Sequence, residues 1–267
     1  MNRTPALLIL LLLAGCTTAT PVPTTETAPL TALPPPTPSC TEEGTITTSA
    51  VDSPTLGWDI RYQAYTPPCY DQYPEAAYPV LYLIHGRGGG ETDWNVVGHA
   101  AETADRMILS GEIAPFILIT PSNSASDSYG VALVNDLLPH VERTYRTLPG
   151  PQYRAVGGAS RGGAVAARMA LQFPDLFGSA GVFGGGAVKG DEPNLEAWIS
   201  STPAGQRARF LIDIGDEDTM MPWTELLASI LDEGDVPYVL NVEPGGHSYA
   251  YWSSNMKMYL LWFAEDW

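Results

Sequence analysis

The sequence predicts an α/β fold, with one mostly parallel central sheet and helices on both of its faces. Three observations carry this. Residues 79–84, 116–119 and 210–214 are short, nearly unbroken apolar runs, as strands covered on both sides require. Segments with helical spacing of apolar residues alternate with them, and a chain that returns to its sheet through a helix builds parallel pairs. Finally, Gly157-Gly158-Ala159-Ser160-Arg161-Gly162-Gly163 leads from the apolar run 153–156 into the helical stretch 164–171, which puts a serine at the apex of a strand, turn and helix.

The chain opens with Arg3, an apolar run over 7–13 and then Ala14-Gly15-Cys16. A charged start, an apolar centre and a small-residue cleavage zone make residues 1–15 an export signal, too short to span a bilayer as a helix. Leu13-Ala14-Gly15-Cys16 resembles a bacterial lipoprotein processing box, which implies cleavage before Cys16 and acylation of that cysteine; the plainer alternative is an ordinary signal peptide with an incidental cysteine. Each buried methylene contributes roughly 0.8 kcal/mol, so several acyl chains would hold the protein at a membrane that it does not cross.

Residues 16–40 read as a tether. Between its two cysteines nearly every residue is Thr, Pro, Ala or Val, and Glu26 is the only charge. Extended proline-rich chain advances ~3.1 Å per residue, giving a reach of roughly 70 Å. Cys40 and Cys69 are expected to pair in an oxidising compartment, contributing roughly 3 kcal/mol by limiting the unfolded chain. Neither lies in a motif with a base, so a catalytic thiol is not expected.

The net charge is −17, from 13 Lys and Arg against 30 Asp and Glu. So acidic a chain is not expected to seek nucleic acid or anionic headgroups; the charge reads as solubility. Residues 41–267 form one span of single-domain size, without an internal repeat or a second proline-rich break.

Within that span, residues 58–65 alternate in part and end at Pro67-Pro68, as an outer antiparallel strand would. The buried strand 79–84 ends in His85-Gly86-Arg87-Gly88-Gly89-Gly90. A helix is expected over 99–109, a strand over 116–119 and a helix over 131–145, where Pro139 stands against the helix. After the serine turn come a short strand at 180–183, an irregular acidic insert over 189–206, the strand 210–215 and a helix over 223–231. A strand at 238–242 leads to Pro244-Gly245-Gly246-His247, and an aromatic-rich last helix begins near Trp252. In such a sheet the chemistry belongs at the carboxyl ends of the strands.

A serine hydroxyl needs a base to take its proton, and the base needs an acid to orient it. In this fold they follow in the order Ser, acid, His, and His247 is the only histidine after Ser160. The acid is expected in Gly215-Asp216-Glu217-Asp218, with Asp218 chosen ahead of Asp216 and Asp213 left as a buried hydrogen-bonded carboxylate. As a calcium loop these acids lack the required Gly and Glu spacing, so no metal is expected. Two preset donors should face the developing oxyanion: the amide of Arg161 and one in the turn after His85, taken as that of Arg87. His85 itself reads as a structural hydrogen-bonder.

Leu83-Ile84-His85-Gly86-x-Gly-Gly, Asp136-Leu137-Leu138-Pro139 with Tyr145-Arg146, Gly158-x-Ser160-x-Gly162-Gly163, Gly215-x-x-Asp218 and Gly245-Gly246-His247 together resemble the esterase D, feruloyl esterase-like family of α/β-hydrolases. The likeness runs over about 44–263. That family includes feruloyl and acetylxylan esterases, S-formylglutathione hydrolase, enterochelin esterases and mycolyltransferases. The resemblance implies the hydrolase fold, ester hydrolysis without a cofactor, and Ser160, Asp218 and His247 as the triad. Members often carry Met after the nucleophile, where this chain has Arg161. With Arg87 it either selects an ester bearing a carboxylate or pairs with acids such as Asp93 or Asp127. Trp94, Tyr251 and Trp252 either border the cleft, where they could stack on a phenolic or sugar ring, or fill the core. The expected function is an extracytoplasmic serine esterase acting on feruloyl or acetyl groups of polysaccharide. Acyl transfer, small-ester hydrolysis and a non-catalytic surface binding protein are the alternatives.

Overall fold

The structure is a computed structural model that describes residues 31–32, 40–122, 126 and 128–267. The export signal, Cys16 and most of the tether lie outside the described residues. Eight strands form one sheet: β1 (Thr45–Val51), β2 (Ile60–Thr66), β3 (Val80–Ile84), β4 (Ile117–Pro121), β5 (Arg154–Ala159), β6 (Ser179–Phe183), β7 (Arg209–Gly215) and β8 (Tyr238–Glu243). Their order across the sheet is β8-β7-β6-β5-β3-β4-β2-β1. All neighbours from β8 to β4 are parallel, and β2 runs antiparallel to both β4 and β1. This is the mostly parallel sheet that the alternation of strands and helices predicts, in the α/β-hydrolase arrangement that the family resemblance implies.

The central strands are buried on both faces because they feed two cores. In β3, Val80, Tyr82 and Ile84 enter the layer on one face while Leu81 and Leu83 enter the layer on the other. The first layer is closed by the helices α3 (Tyr129–Ala132), α4 (Leu138–Thr144), α5 (Arg161–Gln172), α6 (Glu192–Ser201) and α7 (Met221–Glu233). The second is closed by α2 (Ala100–Leu109), α8 (Tyr249–Ser254) and α9 (Met256–Ala264), with the short α1 (Asp93–Val96) adding Trp94. Phe183 stacks on Tyr259 in this second layer, ring centroids 3.8 Å apart.

Four expectations change. The strand expected at the sheet edge is second from it, because β1 lies outside it; β1 is nearly all exposed and so gives no apolar signal. The helix expected over 131–145 contains a wide turn, Leu133–Leu137, in which the Leu138 N–H donates to the Leu133 carbonyl five residues back. That turn puts Pro139 in the first turn of α4, where its missing N–H has no partner to lose. The insert at 189–206 is not irregular: α6 buries Leu195 and Ile199, one turn apart, and Asp191 at its start pairs with Arg168. The last helix is two helices, beginning at Tyr249 and broken at Asn255.

Cys40 and Cys69 form a disulfide that closes a loop containing β1 and β2. Within the segment 16–40, Thr31–Ala32 pairs in parallel with Ala76–Ala77. No helix among the described residues is long and apolar enough to cross a membrane.

Candidate active site

Because β3, β5, β6, β7 and β8 are parallel, their carboxyl ends share one rim of the sheet. Ser160 stands there between β5 and α5 with φ 54° and ψ −119°, a conformation that costs a non-glycine residue roughly 1–3 kcal/mol. The surroundings hold it. Its N–H donates to the Phe183 carbonyl at 2.8 Å. A Cβ on Gly158 would lie 2.5 Å from the Gly162 carbonyl carbon, and one on Gly162 would lie 2.2 Å from the Ile84 oxygen. Glycine is required on both sides because neighbouring backbone already occupies that space.

The candidate acid, Asp218, lies in the turn after β7. The Asp218 N–H donates to the Gly215 carbonyl at 3.0 Å, and the fully buried Asp218 carboxylate accepts the Met220 N–H at 2.8 Å. His247, in the turn after β8, places Nδ1 at 2.9 Å from Asp218 Oδ2 and 3.0 Å from Oδ1, and Nε2 at 2.9 Å from Ser160 Oγ. Its side chain keeps about a third of its surface open to solvent and meets the edge of Trp252, centroids 5.2 Å apart. Asp216 does something else. It is exposed, and its Oδ1 accepts the Gly245 N–H at 3.0 Å, which props the turn just ahead of His247. Beyond His247, Ser248 caps α8 by accepting the Tyr251 N–H. The imidazole is therefore held between two pinned ends of one turn, aligned to move a proton between Oγ and Nε2 while Nδ1–H rests on a carboxylate.

After β3, Gly88 has φ 79° and the Gly89 N–H reaches the Gly86 carbonyl at 3.5 Å, the pattern of a type II turn. The turn's own bond leaves the Arg87 N–H unused. Arg161 is the first residue of α5, where N–H groups have no partner within the helix. Both residues line the cleft with Ser160. His85 is buried and its Nδ1 lies 2.7 Å from the Gly86 oxygen, bracing this turn; burial pulls its pKa below the ordinary value.

The cleft has a volume of about 800 Å³. Of the three aromatic candidates, only Trp252 lines it. Trp94 has no exposed surface and packs edge-on against Phe183 and Tyr249, so it belongs to the core below the site. Tyr251 is buried too, with its hydroxyl 3.3 Å from Asp213 Oδ1. The cleft takes Tyr249, Met220 and Trp223 instead. Their closeness in sequence to His247 and Asp218 was the available signal. Arg87 and Arg161 form no ion pair among the described residues, and Asp93 lies beside His85 and Gly89 instead; Asp127 is outside the described residues. Burial and the neighbouring Arg87 guanidinium pull the Arg161 pKa down. No cluster able to hold a metal ion occurs among the described residues.

A family model described as "Putative esterase" matches residues 53–263. The chain is 30% identical over 183 residues to an endo-1,4-beta-xylanase/feruloyl esterase of Xylanibacter ruminicola, covering 56% of this chain but only 25% of that protein. It thus spans about a quarter of that relative's length. Among solved structures, a ferulic acid esterase matches with a TM-score of 0.76 at 23% identity, over 85% of this chain and 100% of that one. A mutant feruloyl esterase module from Clostridium thermocellum, complexed with sinapinate, matches with a TM-score of 0.72 at 19% identity, over 90% of this chain and 96% of that one.

Proposed function

Given that the chain belongs to the "Putative esterase" family, we propose that it is a serine carboxylic-ester hydrolase with Ser160, His247 and Asp218 as its catalytic triad. The observation that carries this reading is the unbroken line of polar contacts, 2.9 Å from Ser160 Oγ to His247 Nε2 and 2.9 Å from Nδ1 to Asp218.

Ser160 Oγ attacks the ester carbonyl carbon as His247 takes its proton. The resulting oxyanion lies against the N–H groups of Arg161 and Arg87. As the tetrahedral intermediate collapses, the imidazolium, steadied by Asp218, gives its proton to the departing alcohol. Water then repeats the sequence on the acyl-enzyme: His247 removes its proton, the hydroxide adds to the acyl carbon, and Ser160 leaves with the proton returned.

Feruloyl or acetyl groups linked to polysaccharide are the proposed substrates. The feruloyl esterase named among the sequence relatives supports this class, and Trp223 and Trp252, which line the cleft, offer aromatic faces to an aromatic acyl group. The site of action is proposed to be outside the cytoplasm, with residues 1–15 removed and Cys16 acylated; the disulfide suits an oxidising compartment. A fluorophosphonate probe tests the chemistry. Labelling of the wild type that disappears in Ser160→Ala is expected, and labelling that survives this change refutes the triad. A panel of feruloyl, acetyl and longer-chain esters then reads the acyl preference, and loss of labelled fatty acid in Cys16→Ala reads the anchor.

A further inference from the structure

Acids outnumber bases heavily in this chain, 30 to 13, so an arginine has many chances of finding a carboxylate. Most are answered. Arg61 pairs with Glu91, Arg154 with Glu142, Arg168 with Asp191 and Arg209 with Asp266, while Arg146 and Arg207 reach main-chain carbonyls. Arg87 and Arg161 are different. They stand beside each other in the cleft with no acid partner among the described residues, and Arg161 Nε is buried without an acceptor. Two guanidinium groups in one partly desolvated wall repel each other, and an anion placed there would remove the penalty.

Sheet order says where this wall lies. β3 and β6 flank β5 on opposite sides, so the turn carrying Arg87 falls on one flank of Ser160. The loop after β6 and the start of α7 fall on the other, joined where the Ala187 N–H donates to the Trp223 carbonyl. Arg161 belongs to the Arg87 flank, because the start of α5 lies against the end of β3: a Cβ on the next residue, Gly162, would meet the Ile84 and His85 oxygens. The opposite flank presents Val188, Met220 and Trp223. One flank is thus cationic and the other apolar, with the serine between them. Arg168 also lines the cleft, but Asp191 already neutralises it.

We infer that the Arg87 and Arg161 guanidinium groups receive a carboxylate carried by the ester itself, so that the preferred substrates are esters with an anionic group on one part and an apolar remainder against Trp223. This rests on the serine-esterase reading and adds a substrate class to it. The carboxylate could belong to the acyl part or to the alcohol, and two matched pairs separate these.

The full-length protein is assayed, with background correction, on para-nitrophenyl hemiglutarate against para-nitrophenyl pentanoate, and on the butyrate ester of para-hydroxybenzoate against that of para-hydroxybenzamide. The ratio of kcat/KM for the anionic to the neutral member is the readout, so a general loss of activity cancels. The ratio is expected to exceed one in one pair, to fall about tenfold in the Arg87→Gln, Arg161→Gln double variant and to fall less in Arg161→Lys, which keeps the charge without the fork. It should also shrink as salt rises. A wild-type ratio at or below one in both pairs overturns the inference, as does a ratio unchanged in the double variant. If that variant does not fold, a wild-type ratio indifferent to salt overturns it equally. Each of these outcomes leaves the esterase reading intact while Ser160 still takes the fluorophosphonate; loss of that labelling would strike the esterase reading instead.

Discussion

At the end of β5 the serine turn is closed by backbone against backbone, since a Cβ on Gly162 would stand 2.2 Å from the Ile84 oxygen. At the ends of β7 and β8 one such approach recurs, Gly215 against the Gly245 carbonyl, but the working side chains are placed by polar bonds. Gly245 leans on Asp216, Met220 on Asp218 and Tyr251 on Ser248. The proposed nucleophile is positioned by excluded volume, the proposed acid and base by hydrogen bonding. The first arrangement tolerates no added atom, whereas the second should weaken one bond at a time.

The largest expected effect that sharpens this contrast is at Asp218. Asp218→Asn keeps the shape and the Met220 contact but stops orienting the imidazole, so kcat should fall about 10⁴-fold with the melting temperature little changed. Next is Gly162→Ala, which should lower stability by about 3 kcal/mol in denaturant unfolding because the Ile84 backbone cannot step aside. A fully stable Gly162→Ala protein would break the steric account of the elbow. Asp216→Ala should lower kcat about tenfold with KM nearly unchanged, and Asp216→Asn should restore most of it, since an amide oxygen can still accept the Gly245 N–H. A loss as large as that of Asp218→Asn would erase the distinction between the two acids.

The smallest effect is a trend with pH. Asp213 is buried in β7 and accepts bonds from Asn241, Tyr251 and Tyr259, yet burial outweighs these donors and raises its pKa above the usual value of 3.8. The folded protein therefore holds this proton to higher pH than the unfolded chain does. Its contribution to stability is full below the ordinary carboxylate value and is lost as pH rises through the raised one. Melting temperatures should show Asp213→Asn gaining on the wild type as pH rises above the ordinary carboxylate value. A constant offset would mean that the carboxyl titrates at the same pH in both states.

What could be read from the chain follows the strength of the physical signal. The central strands were legible because residues on both faces are buried, so 79–84 is apolar without a break and 210–214 is interrupted only by the buried Asp213. The strand β1 was not, because Thr45–Val51 is open to solvent and carries mostly Thr, Ser and Ala. The helix α6 hid among acids for a similar reason, with only Leu195 and Ile199 fully buried. At the site, glycine spacing located the serine turn, and chain order pointed to His247. Side-chain direction was the missing information. Trp94 and Tyr251 lie near the site in sequence, but α1 turns one and α8 the other into the core, while Tyr249 from that same α8 reaches the cleft.

The bridge between Cys40 and Cys69 has a mechanical consequence. Once the two-residue contact at Thr31–Ala32 gives way, tension drawn from the N-terminal side enters at Cys40 and leaves through sulfur to Cys69, bypassing everything between them. The solvent-facing edge hairpin sits inside this shunt and bears no load, so it is not unzipped from the rim of the sheet. Reduce the bond, and the same pull would fall first on the strand least able to resist it.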